Sequence, residues 1–116
     1  MDLYHAWFDL ADGVSDVEFA EHLARYMGHL SERDLISSWR LTRKKLGLAP
    51  GFLKDFHLVI ETADMAALDR AFNLVASRAG QVEDFHAAVN QRVKGAFFAL
   101  YRDFPDPVRQ RGEERF

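Results

Sequence analysis

"LYHAWFDL" (residues 3–10) reads as the first strand of a sheet, because aromatic and branched apolar side chains dominate it and the turn signal Ala11-Asp12-Gly13 closes it. Strand alternation puts Tyr4, Ala6 and Phe8 on one face and His5, Trp7 and Asp9 on the other. Both faces are therefore rich in aromatic or apolar side chains, and the fold has to cover both. "FHLVIE" (56–61) has the same near-continuous apolar character and reads as a second central strand.

Around these two strands the rest of the chain falls into alternating periods. Ser15-Asp16-Val17-Glu18 has the form of a capping box and predicts a helix over 16–32, with Val17, Ala20, Leu23, Ala24, Met27 and Leu30 as its apolar stripe. His22 and His29 lie outside that stripe and are expected at the solvated edge. "LISSWRLTRKK" (35–45) alternates as a strand, and its basic end, Arg43-Lys44-Lys45, suits an edge that must resist pairing with other chains. Asp64 is a candidate cap for a helix carrying Met65, Leu68, Ala71, Phe72, Val75 and Ala79, which Gly80 would stop. A further helix is expected over 82–94, with Val82, Phe85, Val89 and Val93 on one face and His86 within that stripe. "AFFALYRDF" (96–104) reads as the last strand, ending at Pro105 and Pro107. Residues 1–107 form one expected domain, and 108–116 a charged C-terminal tail.

The composition is that of an ordinary globular domain, at 48% apolar and 28% charged residues over 116 positions. The absence of cysteine removes disulfides and thiolate metal sites and fits a reducing compartment, so a cytoplasmic location is expected. No run approaches the roughly 18 apolar residues of a membrane span. A net charge of −3 argues against general binding to nucleic acid or to anionic lipid. "KGAFFALY" (94–101) is superficially similar to an RNA-recognition signature, but Ala96 replaces the first stacking aromatic and the segment lies on the last strand. Neither nucleic acid nor membrane is an expected partner.

The order strand, helix, strand, strand, helix with a helical extension, strand is α+β. It predicts a ferredoxin-like βαββαβ unit with an extra late helix, an antiparallel sheet in order 4-1-3-2, and helices on one face only. The other sheet face would be a large exposed apolar patch unless something covered it.

The stretches "LYHAWFDL", "RLTRKKLG" and "FALYRDFPDP" are similar to those of a family of short bacterial proteins of unassigned activity within the dimeric α/β-barrel superfamily. That resemblance, over residues 1 to 107, implies that two ferredoxin-like subunits press the open faces of their sheets together as a homodimer. Branches of the superfamily include haem-degrading and quinone-forming monooxygenases, polyketide cyclases, muconolactone isomerases and stress-responsive proteins. Some of the cyclases carry histidines near the start of the first strand, near the start of the third and on the late helix, all facing a cavity between sheet and helices. His5, His57 and His86 resemble that set.

Assigning the histidine-bearing strand faces to the helix side places His5, Trp7 and Asp9, then His57, Val59 and Glu61, then Phe97, Ala99, Tyr101 and Asp103 around one cavity. His5 would then approach Glu61 and Asp103, and His57 would approach Asp9, each carboxylate orienting an imidazole. The dimer face would be Tyr4, Ala6, Phe8, Phe56, Leu58, Ile60, Phe98 and Leu100. Within the cavity, Trp7, Phe72, Phe85, Phe97 and Tyr101 would be flat walls. His57 is the candidate base, His86 the candidate acid or second base, and His5 with Tyr101 the candidate donors to a developing enolate oxygen.

Two functional classes fit this pattern. One is a cofactor-independent cyclase, isomerase or monooxygenase acting on a small aromatic or enol-forming substrate. The other is a non-enzymatic dimeric binding or stress-responsive module in which every histidine is structural. Two histidines and a carboxylate could also furnish a facial triad for non-haem iron, and His86 an axial ligand for haem. With no close-spaced ligand motif in the chain, no metal or other cofactor is expected.

Overall fold

The structure, a computed structural model, describes residues 1–78 and 80–105; the tail read from the sequence as 108–116 lies outside the described residues. The elements are β1 (Asp2–Leu10), α1 (Asp16–Glu32), β2 (Ser38–Arg43), β3 (Phe56–Thr62), α2 (Met65–Ala76), α3 (Gly80–Asn90) and β4 (Val93–Arg102). The four strands form one antiparallel sheet in the order β2-β3-β1-β4, which is the expected 4-1-3-2 order read from its other edge.

Local signals set the helix starts. The Ser15 hydroxyl accepts from the Glu18 amide at the head of α1, and the Asp64 carboxylate accepts from the Ala67 amide at the head of α2. An ion pair of 2.9 Å between Arg43 and Asp16 ties the end of β2 to the first turn of α1. Several boundaries depart from expectation. β2 is shorter than 35–45, and α2 ends at Ala76, short of Gly80, which instead opens α3. α3 ends at Asn90 rather than 94, so that Val93 belongs to β4, and Gly95 lies inside β4 rather than before it. Gly95 has φ +64°, and the β1–β4 register shifts between Trp7 and Asp9. It therefore serves as the left-handed residue of a bulge, a conformation that costs glycine nothing.

The core lies between the sheet and the helices. It joins Ala6 and Phe8 of β1 with Phe56, Leu58 and Ile60 of β3, and sets them against Phe19, Leu23, Met27 and Leu30 of α1 and Val82 of α3. The buried stripe of α1 is rotated from the expected one. Phe19 is wholly buried, whereas Val17 is 66% exposed and Ala20 and Ala24 are exposed too. His29, expected at the edge, is buried and rests its ring against Phe85. The larger area gained by burying Phe19 and part of Tyr26 outweighs that of Val17, Ala20 and Ala24, while Leu23, Met27 and Leu30 serve in both stripes.

This core reverses the face assignment. The helices cover the face of Tyr4, Ala6, Phe8, Phe56, Leu58 and Ile60, so these residues form the interior and not a dimer face. Phe98 and Leu100 share that side, but on edge strand β4 they extend past the helices and are 59% and 50% exposed. The physical reason lies in the charges. The opposite face carries Asp9, Glu61, Arg40 and two imidazoles, whose desolvation under the helices would cost far more than burying leucine and phenylalanine. No helix among the described residues is long and apolar enough to cross a membrane.

Candidate functional site

The residues expected around one cavity separate onto the two sides of the sheet. On the open side, β1, β3 and β4 bring five of them into a row, because Trp7 lies directly opposite both His57 and Phe97 in the strand register. The Trp7 and His57 rings stack at 4.5 Å between centroids and 1° between planes, and Phe97 stacks on Trp7 at 5.2 Å. His5 stacks on His57 at 5.1 Å, and Tyr101 meets His5 edge-on at 5.0 Å. A 2.9 Å hydrogen bond joins His5 Nδ1 to His57 Nε2. Desolvation holds both imidazoles below the usual histidine range, and for His57 the charge of His5 acts in the same direction.

None of the three expected orienting carboxylates reaches an imidazole. Asp9 accepts from the Asp55 amide and pairs with Lys54. Glu61 accepts from the Ser38 hydroxyl, and Asp103 pairs with the amino terminus. Glu61 lies opposite Leu3 in the register, two pairs from His5 and Val59, and Asp103 follows the last residue of β4. The two histidines orient each other instead.

On the helix side lies a cavity of about 320 Å³. Its walls are apolar, from Ala6, Phe8, Leu58 and Ile60 of the sheet, Leu23 and Met27 of α1, and Leu68 and Ala71 of α2. Four polar side chains line it: Tyr4, Tyr26, His86 and Asn90. Exposed Phe72, Ala96 and Phe98, also in the lining, mark its open side. His86 is thus the one expected cavity histidine that faces this space, and Phe72 the one expected aromatic wall. Phe85 packs on His29, and His5, Trp7, His57, Phe97 and Tyr101 belong to the other side of the sheet.

The polar groups of the cavity are close together. Tyr26 meets His86 edge-on at 5.9 Å, and His86 Nδ1 stands 3.7 Å from Glu83 Oε2, one turn earlier on α3. Both of these atoms are shut from solvent and have no hydrogen-bond partner. Burial, reinforced by Tyr4 and then by Glu83, pushes the Tyr26 phenol up to about 12, and burial raises that of Tyr4. Both tyrosines therefore remain neutral hydroxyl donors near pH 7. Among the described residues no Lys or Arg lines the cavity, and no group of three or more His, Asp or Glu side chains could hold a metal ion.

Sequence reasoning placed Tyr4 on the dimer face and passed over Tyr26, Glu83 and Asn90. Tyr26 was open to detection, since 19, 23, 26, 27 and 30 form a regular helical stripe of large residues. Glu83 precedes His86 by three positions, the spacing at which two helical side chains meet.

The sequence matches a family of unknown function, DUF6614, over residues 1–116. The chain belongs to this family. No curated protein sequence matches it. Several solved structures share its fold. One is the At3g17210 protein of Arabidopsis thaliana, at TM-score 0.69 and 10% identity, covering 89% of this chain and 95% of that one. A variant of SnoaB, a cofactor-independent oxygenase from Streptomyces nogalater, gives TM-score 0.68 at 12% identity over 93% and 97% of the two chains. A dimeric ferredoxin-like protein of unknown function from Jannaschia sp. CCS1 gives 0.65 at 12% identity over 89% and 100%. At these identities the likeness is one of fold.

Proposed function

We propose that the chain binds a small, flat, largely apolar molecule in the cavity between sheet and helices, and that His86 takes a proton from its hydroxyl or enol-forming carbon. The carrying observation is one apolar space of about 320 Å³ on which His86 and two neutral tyrosines converge. A cavity of about 150 Å³ holds benzene, so this one suits roughly two fused rings. His86 would receive the proton while the Tyr26 and Tyr4 hydroxyls donate to the oxygen on which charge develops. The resulting enolate or phenolate is the shared starting point for isomerisation, cyclisation or oxygenation without a cofactor. The fold likeness to a cofactor-independent oxygenase is compatible with that class. The base role expected of His57 passes to His86, because His57 faces away from this space.

The reading is tested by calorimetric titration with 2-naphthol against the chain and against Ala71→Trp, which fills the cavity from α2. Saturable binding at one molecule per chain, lost in the variant, is expected. An equal response from both proteins would overturn the cavity as the site. Mixing bound chain with candidate enols and following proton exchange at carbon by NMR then separates turnover from binding alone, with His86→Ala as the variant that should abolish exchange.

We also propose that the open face pairs two copies of the chain. β1, β2, β3 and β4 have nine, six, seven and ten residues. At about 3.4 Å per residue and about 4.8 Å between strands, the four-stranded face covers roughly 500 Å². Pairing two such faces buries roughly 1,000 Å², the area a specific interface has to clear. The half-buried row His5, His57, Trp7 and Phe97, with exposed Tyr101 at its end, would be its centre. Three solved proteins of similar fold are described as dimeric, which favours this occupant. Sedimentation at low micromolar concentration should give the mass of two chains, and the mass of one would overturn the pairing.

A further inference from the structure

We infer that Glu83 sets which ligands the cavity accepts, by holding the proton of His86 away from the cavity and by keeping anions out. The inference rests on the cavity being the ligand site. Glu83 projects from the first turn of α3 behind His86, and its Oε2 has no partner other than the imidazole Nδ1 3.7 Å away. That separation is too long for a hydrogen bond, but closing it takes less than about an ångström of side-chain rotation. A carboxylate only accepts, so it selects the tautomer with its proton on Nδ1 and leaves Nε2 as the acceptor.

Glu83 Oε2 lies 3.7 Å from the imidazole of His86, a lining residue, so its charge sits one side chain from the cavity, and it helps to raise the phenol of Tyr26. Among the described residues no lysine or arginine in the lining balances it. A ligand carboxylate entering this space would lose its water, meet no cation and lie within range of a like charge. A neutral hydroxyl, by contrast, both donates to His86 and accepts from Tyr26. The polar end of the ligand is therefore an un-ionised hydroxyl, and Glu83 is a positioning and specificity residue acting through His86 and through its field, not a catalytic one.

Two probes of the same shape test this, 2-naphthol and 2-naphthoate, titrated at pH 7.5 into the unaltered chain and into Glu83→Gln, with the His86 ring nitrogens followed by ¹⁵N NMR. In the unaltered chain 2-naphthol should bind at least about 10-fold more tightly than 2-naphthoate, the scale of one partly screened like charge. Glu83→Gln should narrow that ratio to within about 3-fold and convert His86 from a predominantly Nδ1-protonated ring to a mixture of tautomers. Equal binding of the two probes by the unaltered chain, or an unchanged ratio and tautomer in Glu83→Gln, overturns the inference. If neither probe binds, the ligand reading fails by itself, and the tautomer still decides: loss of the Nδ1–H form in the variant supports the role of Glu83, and an unaltered spectrum refutes it.

Discussion

Acid should destabilise this protein through the His5–His57 pair before its carboxylates titrate. At neutral pH one proton bridges His5 Nδ1 and His57 Nε2 across 2.9 Å. Both imidazoles sit below their ordinary value, chiefly through desolvation, so the folded state favours the neutral rings. The unfolded chain then binds more protons, and stability falls as pH drops below about 6.5. When both rings are charged, the hydrogen bond is lost at about 1 kcal/mol. Two positive rings at 5.1 Å add a repulsion of about 1–2 kcal/mol, allowing for strong screening on a half-open face. The total of about 2–3 kcal/mol is a large share of the stability of a domain of this size. Urea unfolding at constant ionic strength between pH 7.5 and 5.0 measures it. His57→Gln, whose amide can bond His5 without taking a proton, should lose about half of the pH dependence. The same slope in the variant and the unaltered chain would refute the reasoning. Asp12 and Asp16, both held below the usual carboxylate range by their basic partners Lys94 and Arg43, stabilise at higher pH and lose that effect only below the range scanned.

Three further substitutions probe the fold and the open face. Phe19→Ala removes a ring that is wholly buried between α1 and the sheet, and should cost about 3–5 kcal/mol in urea unfolding. Ser15→Ala deletes the acceptor for the Glu18 amide and should cost about 1 kcal/mol by the same assay. Val59→Glu puts a charge at the middle of the open face beside His5, and should leave the fold intact by circular dichroism while converting a sedimenting dimer to monomer.

The sequence made the element order and the sheet order legible because those depend on period and turn chemistry. "FHLVIE" and "LYHAWFDL" could only be adjacent central strands, and Ser15 and Asp64 mark helix starts by the backbone donors they satisfy. Boundaries held where a cap fixed them and slipped where a glycine had two possible uses. Gly80 and Gly95 both have positive φ, which a helix end, a helix approach or a strand bulge can equally require.

The site was less legible, and for a different reason. Strand alternation divides side chains into two sets without saying which set the helices cover. When both sets are apolar, the decision falls to the few polar members of each. His5 and His57 share a set with Asp9, Glu61 and Arg40, while Tyr4 shares one with Ala6, Phe8, Phe56, Leu58 and Ile60, in which the one charge on β1 and β3, Asp2, sits at the strand end paired with Arg102. Weighing charges ahead of histidines would have sent the first set outward. That step alone separates His86 from the strand histidines and leaves it lining one cavity with Tyr4 and Tyr26. It also explains how two polar clusters came to be built on one sheet. The histidine pair on the open face is kept neutral by desolvation and by its own hydrogen bond. The cavity instead keeps its single imidazole beside a carboxylate, two un-ionised phenols and an otherwise apolar wall.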